Sequence, residues 1–441
     1  MKKVLTQPKL NWFSSTLSKY YGSNVQVTYE EKKLYLSVNG RVKVIFDNIN
    51  LDFYKIGKSN INCVKWNPHQ ENLENIFDSE IFSPGFLCEK VFDFSGNLII
   101  CHYDILGLMF WCLNRLEEIG SLNLDKHNRF NFKESHAYNY NYIEYPIVDQ
   151  WLYFLKKVIE IRNPEIFFKA NKYQIIATHD IDRPSRYHFK SIKGFLRASF
   201  GDFIRDKDIK NFFGSFSRFF NSNRISDNDP FYTFNYLMST SEQKKIKSRF
   251  YFICGGSSKF DADYSVNNKI IKEIIYSILE RGHEVGLHPS YDCYLNKNQI
   301  KKEMDNLKNI LSDSNSLGGR MHYLRFKYPD TLYYLSDAGL IYDSTLGYAE
   351  NIGFRCGTCF EYNPFDPIKD CNINITILPL ILMDVTLTTY MGLNKYQAIE
   401  KSAQIKKRCK AVGGNFVLLW HNSELKNSDQ REVYESLLNE C

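Results

Sequence analysis

The sequence predicts an α/β protein: a distorted or incomplete (β/α) barrel of about seven parallel strands, preceded by a smaller α+β domain. Three observations lead there. From about residue 170 the chain repeats strand, loop and helix, the pattern of a parallel sheet covered by helices. Four short stretches each run from apolar residues into a metal-binding or acid/base side chain: Ile175-Ile176-Ala177-Thr178-His179-Asp180-Ile181-Asp182, Glu284-Val285-Gly286-Leu287-His288, Met321-His322-Tyr323-Leu324-Arg325 and Phe416-Val417-Leu418-Leu419-Trp420-His421-Asn422. Runs of that kind read as strands buried on both faces, and in barrels reactive groups gather at the C-terminal strand ends. At 441 residues the chain also exceeds the usual size of one core, so two domains are expected.

The boundaries follow from the pattern. Residues 1–165 read as an accessory α+β domain: 25–29 and 34–38 alternate as a hairpin around a charged turn, and 103–118 reads as an amphipathic helix. His69, His102, His127 and His136 sit there in unrelated contexts, without ligand spacing. Residues 170–441 form the barrel, with an insertion at about 191–247. Phe195, Phe200, Phe203, Phe212, Phe213, Phe216, Phe219 and Phe220 stand among basic residues in that insertion. Helices covering the barrel explain them best; a peripheral membrane contact through 191–222 is the alternative. Further strands are expected at 250–254, 285–288, 322–326, 341–343, 375–383 and 416–420, and helices at 268–281, 299–311 and 331–338. No internal repeat or low-complexity linker is present.

Composition limits the partners. Hydrophobic residues make up 44% and charged residues 24%, an ordinary globular balance, and the net charge of +6 is mild. No basic run is dense enough to require nucleic acid. Eleven cysteines, irregularly spaced, do not form a disulfide framework. Several stand inside apolar runs, as free thiols do in a reducing compartment. Cys356-Gly357-Thr358-Cys359 lacks a second pair and reads as structural. The N-terminus has no apolar core of signal-peptide length, and no stretch approaches the ~20 apolar residues of a membrane span. The expectation is a cytoplasmic protein; the sequence is silent on oligomeric state.

Asp180 and Asp182, two apart on an extended segment, point to one face. Two acids so placed repel unless they share a cation or a proton; alternatively Asp182-Arg183-Pro184 is a turn. His288 ends a strand and has Asp292 four residues on, spacing that suits a metal held by one turn of chain. His283 would lie roughly 16 Å away along a strand at ~3.3 Å per residue, at the other end. His421 follows an apolar run and Trp420, and suits a general acid. Asp343 and Asp384 are further strand-end acids that could orient Arg325 or bind substrate hydroxyls, with structural salt bridging as the equal alternative. Tyr291 and Tyr348 could stack on a sugar, with buried packing as the plainer alternative. Asp261-Ala262-Asp263 imitates the D-x-D of a metal-dependent sugar-nucleotide transferase.

Taken in order, Thr178–Asp182, 282–288 (Gly-His-Glu-Val-Gly-Leu-His), 322–325 (His-Tyr-Leu-Arg) and 418–421 (Leu-Leu-Trp-His) resemble the motifs of NodB-homology polysaccharide deacetylases over about residues 170–425. The segments 343–348 and Gly353-Phe354-Arg355 resemble a bacterial subgroup found with surface-polysaccharide genes. The resemblance implies Asp180 as general base, Asp182 and His288 as metal ligands, Arg325 as the arginine orienting the base and His421 as general acid. A divalent metal, Zn2+ first, is the implied cofactor, and an N-acetylated carbohydrate the implied substrate. The family's further metal histidine falls where this chain has Asp292, so Asp292 or, as the alternative, His322 would complete the set, with metal-free hydrolysis as a third possibility. A catalytically degenerate carbohydrate-binding homologue, or a sugar-nucleotide transferase, are the competing readings.

Overall fold

The computed structural model describes residues 4–74, 76, 80–206, 214–216, 219, 224–311 and 317–440. The N-terminal part opens with helix Gln7–Tyr21, started by Pro8 and ended by Gly22 in the left-handed conformation. Five strands, β1 (Val25–Glu30), β2 (Lys33–Val38), β3 (Val42–Phe46), β6 (Phe92–Ser95) and β7 (Leu98–Cys101), form a sheet in the order β1-β2-β3-β7-β6, and β4 (Cys63–Trp66) pairs with β5 (Ile81–Pro84) apart from it. The expected hairpin is β1–β2, in antiparallel register Val25↔Val38. The helix expected at 103–118 is shorter, Ile105–Leu113, and buried on every side rather than amphipathic. Its sequence, Ile-Leu-Gly-Leu-Met-Phe-Trp-Cys-Leu, has no polar face to give to water.

The second part is an eight-stranded, wholly parallel sheet. Its strands are β8 (Gln174–Ile181), β9 (Arg249–Phe252), β10 (Glu284–Leu287), β11 (Gly318–Gly319), β12 (Tyr342–Asp343), β15 (Thr376–Ile377), β16 (Leu382–Met383) and β17 (Asn415–Leu419). The order is β15-β12-β11-β10-β9-β8-β17-β16. The hairpin β13 (Phe365–Asp366) and β14 (Cys371–Asn372) stands outside it. A single strand was expected at 375–383; Pro379, which has no N–H to donate, divides it into β15 and β16. The Leu378 N–H donates to Asp343 O on one edge, and the Ile381 N–H to Val417 O on the other. This one segment therefore touches both sheet edges and curls the sheet into a distorted barrel.

Helices cover the sheet for readable reasons. Helix Lys269–Glu280 buries Ile270, Ile271, Ile274, Ile275 and Ile278, spaced by three and four, and Asn268 caps its start. Helix Lys395–Val412 begins with the Asn394/Gln397 capping box and ends at Gly413. In the insertion, Phe195 is buried against Tyr187, with Phe216 and Phe219 packed on it, while Phe200 is exposed. The side chains of Phe203, Phe212, Phe213 and Phe220 lie outside the described residues, so the expectation of a membrane contact there falls partly outside them too. Among the described residues no helix is long and apolar enough to cross a membrane.

The two parts share one continuous apolar core. A buried ion pair crosses between them: the Arg355 guanidinium donates to both Glu118 carboxylate oxygens, at 2.9 and 2.7 Å. Close by, Gly353 (φ +135°) passes the Ile143 carbonyl so tightly that a Cβ would lie 2.2 Å from it. Ten described cysteines are free; Cys359 is buried against Asp149.

Candidate active site at the C-terminal strand ends

A cavity of about 380 Å³ opens at the C-terminal ends of the parallel strands, lined among others by Asp180, Asp182, Asp261, His288, His322 and His421. Strand β8 delivers Asp180 near its end and Asp182 just beyond it. His288 follows β10 directly, and its N–H donates to Phe252 O of β9. His421 follows β17, two residues past Leu419.

Asp182, His288 and His322 each offer one ligand atom, and the three lie within 4.8 Å of one another. Asp182 Oδ1 is 3.2 Å from His288 Nε2 and 3.5 Å from His322 Nε2. Both other ring nitrogens are engaged: His288 Nδ1 donates to Arg320 O at 2.6 Å, and His322 Nδ1 faces Asp261 Oδ1 at 3.4 Å. Asp182 Oδ1 and His288 Nε2 are buried without a hydrogen-bond partner. A carboxylate and two imidazoles converging through orphaned buried atoms form a group that could hold a divalent cation, beside a cavity with room for water or substrate. The residues therefore fit the group the resemblance implies.

The charges agree. Burial alone would raise the Asp182 carboxyl, but His322, His288 and His421 hold it well below its usual value. Burial opposes charge on His322, yet Asp182 and Asp261 raise it to about 9.

Asp180 accepts a hydrogen bond from Arg320 Nη1 at 2.9 Å. Arg320 is fully buried and also bonds Thr178 Oγ1, Ser344 O and Ser344 Oγ. His421 is held by Asp384: its ring Nδ1–H reaches Asp384 Oδ1 at 2.8 Å, and its backbone N–H reaches Oδ2. Burial would lower the His421 ring, but Asp384, then Asp182 and Asp180, outweigh it and raise it to about 10. His421 Nε2 lies 3.7 Å from Asp182 Oδ2.

Three expectations need correction. Arg325 does not reach Asp180: it donates to His127 O and Tyr291 O, and stacks on the Tyr291 and Tyr294 rings. The cause is local: 322–326 is not a strand. The strand is the glycine pair Gly318–Gly319, and His322–Leu324 is a tight turn with Tyr323 and Leu324 at φ 61° and 55°. That reversal sends Arg325 away from the base and leaves Arg320 facing it. Asp292 is exposed on the turn Tyr291–Cys293, outside the ligand group. Ser290, bonded to Glu303, and the Tyr291 N–H, bonded to Asp261, fix that turn with Asp292 outward. Asp261 and Asp263 do not act as a D-x-D pair, because Asp263 is exposed and paired with Lys190.

The other candidates are placed as follows. Tyr291 packs beside the cavity, its hydroxyl on His127 Nδ1 at 3.0 Å. Tyr348 is buried against Phe132 and Arg355, away from the cavity. Asp384 lies beneath His421, and Asp343 bonds Thr345. His283 sits at the opposite end of its strand, bonded to Ser248 and Glu242. Two contributions to the site were missed, Arg320 buried behind Asp180 and Arg129 in the cavity wall. Arg320 follows a strand with no side chains, invisible to a search for apolar runs; its signal is the Gly318-Gly319 pair, where a Cβ on Gly318 would sit 2.0 Å from the Tyr342 ring. Arg129, from the N-terminal part, reaches the cavity while paired with Asp125 and Glu350.

A family model described as a family of unknown function, DUF7033, matches residues 4–164. No curated protein matches the chain. Among solved structures, a Mycobacterium smegmatis protein described as a polysaccharide deacetylase is 16% identical with a TM-score of 0.40, covering 61% of this chain and 84% of its own. A Pseudomonas aeruginosa PAO1 protein described as a probable polysaccharide deacetylase is 10% identical with a TM-score of 0.37, covering 60% and 83%. PuuE allantoinase is 10% identical with a TM-score of 0.36, covering 60% and 82%. With identities and TM-scores this low, these likenesses assign neither a family nor an activity.

Proposed function

We propose that the protein is a metal-dependent hydrolase of C–N amide bonds, acting by N-deacetylation on an N-acetylated sugar of a bacterial surface polysaccharide or its precursor. The observation that carries this reading is the flanking of the Asp182–His288–His322 group by an arginine-held carboxylate, Asp180, and a carboxylate-held imidazole, His421.

A divalent cation on Asp182, His288 and His322 would supply a Lewis acid for the amide carbonyl and make water acidic enough to attack. Asp180, aimed by Arg320, takes the proton of the attacking water. His421, kept protonated by Asp384, gives a proton to the departing amine, so acetate and a free amino sugar leave. Phe260, Tyr323 and Tyr390 line the cavity and offer ring faces to a sugar. Residues 1–165 serve as an accessory lobe whose Arg129 completes the cavity wall.

Metal analysis of the purified protein, with acetate release from a panel of N-acetylated mono- and oligosaccharides, tests the reading. Bound metal with acetate release supports it. Metal-dependent binding of nucleotide sugars without acetate release would replace it with a transferase, and sugar binding with neither metal nor acetate would replace it with a binding protein.

A further inference from the structure

We propose that Asp261 is the positioning residue that turns His322 into the third metal ligand of this chain. The inference rests on the metal reading above and gives a new role to a residue that lies outside the resemblance and that the sequence offers only as half of a D-x-D pair.

The Asp261 side chain is almost fully buried, and its partners fix both oxygens. Oδ1 accepts the Tyr291 N–H at 2.7 Å and faces His322 Nδ1 at 3.4 Å; Oδ2 accepts the Ser258 N–H at 2.9 Å. The loop before it is shaped to admit the carboxylate: Gly256 has φ +86°, and a Cβ there would lie 2.4 Å from Asp261 Oδ2. With two backbone N–H groups holding it, Asp261 cannot swing to follow a mobile imidazole; the imidazole must come to it. An acceptor-only carboxylate calls for the ring proton on Nδ1, which leaves Nε2, the nitrogen facing Asp182 at 3.5 Å, as the one that can give its lone pair to a cation. Ligating histidines are commonly oriented this way, and loss of the partner costs about 10–100-fold in metal affinity.

The two imidazole ligands are thus oriented by different means. His288 is set by a neutral carbonyl, Arg320 O, and His322 by a carboxylate. A carboxylate partner makes an imidazole a stronger donor, which lets His322, arriving on a strained turn instead of a strand, serve beside a rigidly placed His288. The same residue bonds the Tyr291 N–H, so the carboxylate that orients His322 also fixes the turn that points Asp292 outward. Asp261 therefore bears on the ligand used and, together with Glu303, on the ligand not used.

The test is Zn2+ affinity of the full chain by chelator competition, for the wild type, Asp261→Asn, His322→Ala and the double variant. Asp261→Asn should weaken Zn2+ binding about 10–100-fold, and in the His322→Ala background the same change should add less than about threefold, because coupled residues are not additive. Unchanged affinity in Asp261→Asn, or an equal loss in both backgrounds, overturns the proposal. A wild type that binds no Zn2+ overturns the metal reading itself, and the two failures are told apart. Should Asp261→Asn not fold, ¹⁵N NMR of the wild-type histidines with Zn2+ decides. His322 protonated on Nδ1 and metal-bound through Nε2 supports the proposal; a proton on Nε2 overturns it.

Discussion

Arg320 donates from Nη1 to Asp180 Oδ1 at 2.9 Å and, through its own carbonyl, receives the Nδ1–H of His288 at 2.6 Å. One buried residue therefore sets the direction of the proposed base and of a proposed metal ligand. Its guanidinium spans Thr178, Asp180 and Ser344, tying β8 to the loop after β12.

Arg320→Lys should lower kcat/KM for acetate release by about 10²-fold, since a point charge cannot reproduce the fork that aims Asp180. Arg325→Lys should have a much smaller effect, because Arg325 ties two loops and does not touch the base. Equal losses in the two variants would restore the arginine role to Arg325.

The pH profile reads the Asp384–His421 pair. His421 is raised from its ordinary value to about 10, so it is protonated at neutral pH and loses its proton only as pH rises through that value. Activity that needs the acid form should hold through neutral pH and fall on the alkaline side. Asp384→Asn removes the chief raising charge, so the alkaline limb of kcat/KM should move to lower pH. A limb that stays in place assigns the acid to another group.

Metal content separates the two candidates for the third ligand. His322→Ala should lose at least about tenfold in Zn2+ affinity, while Asp292→Asn should bind as the wild type does, since Asp292 is exposed on its turn. The opposite order would show that the turn at 291–293 refolds around the ion.

Arg129 tests the contribution of the N-terminal part. Its guanidinium is fixed by Asp125, Glu350 and the Tyr323 carbonyl at the cavity wall. Arg129→Ala should raise KM several-fold, on the order of 1 kcal/mol of binding, with a smaller change in kcat. A fall in kcat alone, at unchanged KM, would place Arg129 outside substrate binding.

Much of the barrel was legible because strands β8, β10 and β17 are apolar runs that lead straight into reactive side chains, and because helices such as Lys269–Glu280 keep their isoleucines on one face. The same logic located Asp180, Asp182, His288 and His421 at one end of the sheet. It failed where a strand carries no side chains. Gly318–Gly319 offers no apolar run, so the next reactive stretch, Met321–Arg325, took its place and the arginine was read five residues late. It failed again at Asp292, where sequence spacing stood in for a turn whose direction is set by Glu303 and Asp261, residues far away in the chain. Arg129 was beyond reach for a similar reason: only the packing of residues 125–130 onto Tyr323 and Tyr291 brings it to the cavity.

The most direct test is a comparison of wild type and Asp180→Asn, both loaded with Zn2+, for acetate released from N-acetylated sugars and for metal bound per chain. The account predicts equal metal in the two proteins, acetate from the wild type, and a rate lower by about 10²–10⁴-fold in the variant. Acetate release at the same rate from both, or none from the metal-loaded wild type across the sugar panel, would contradict it.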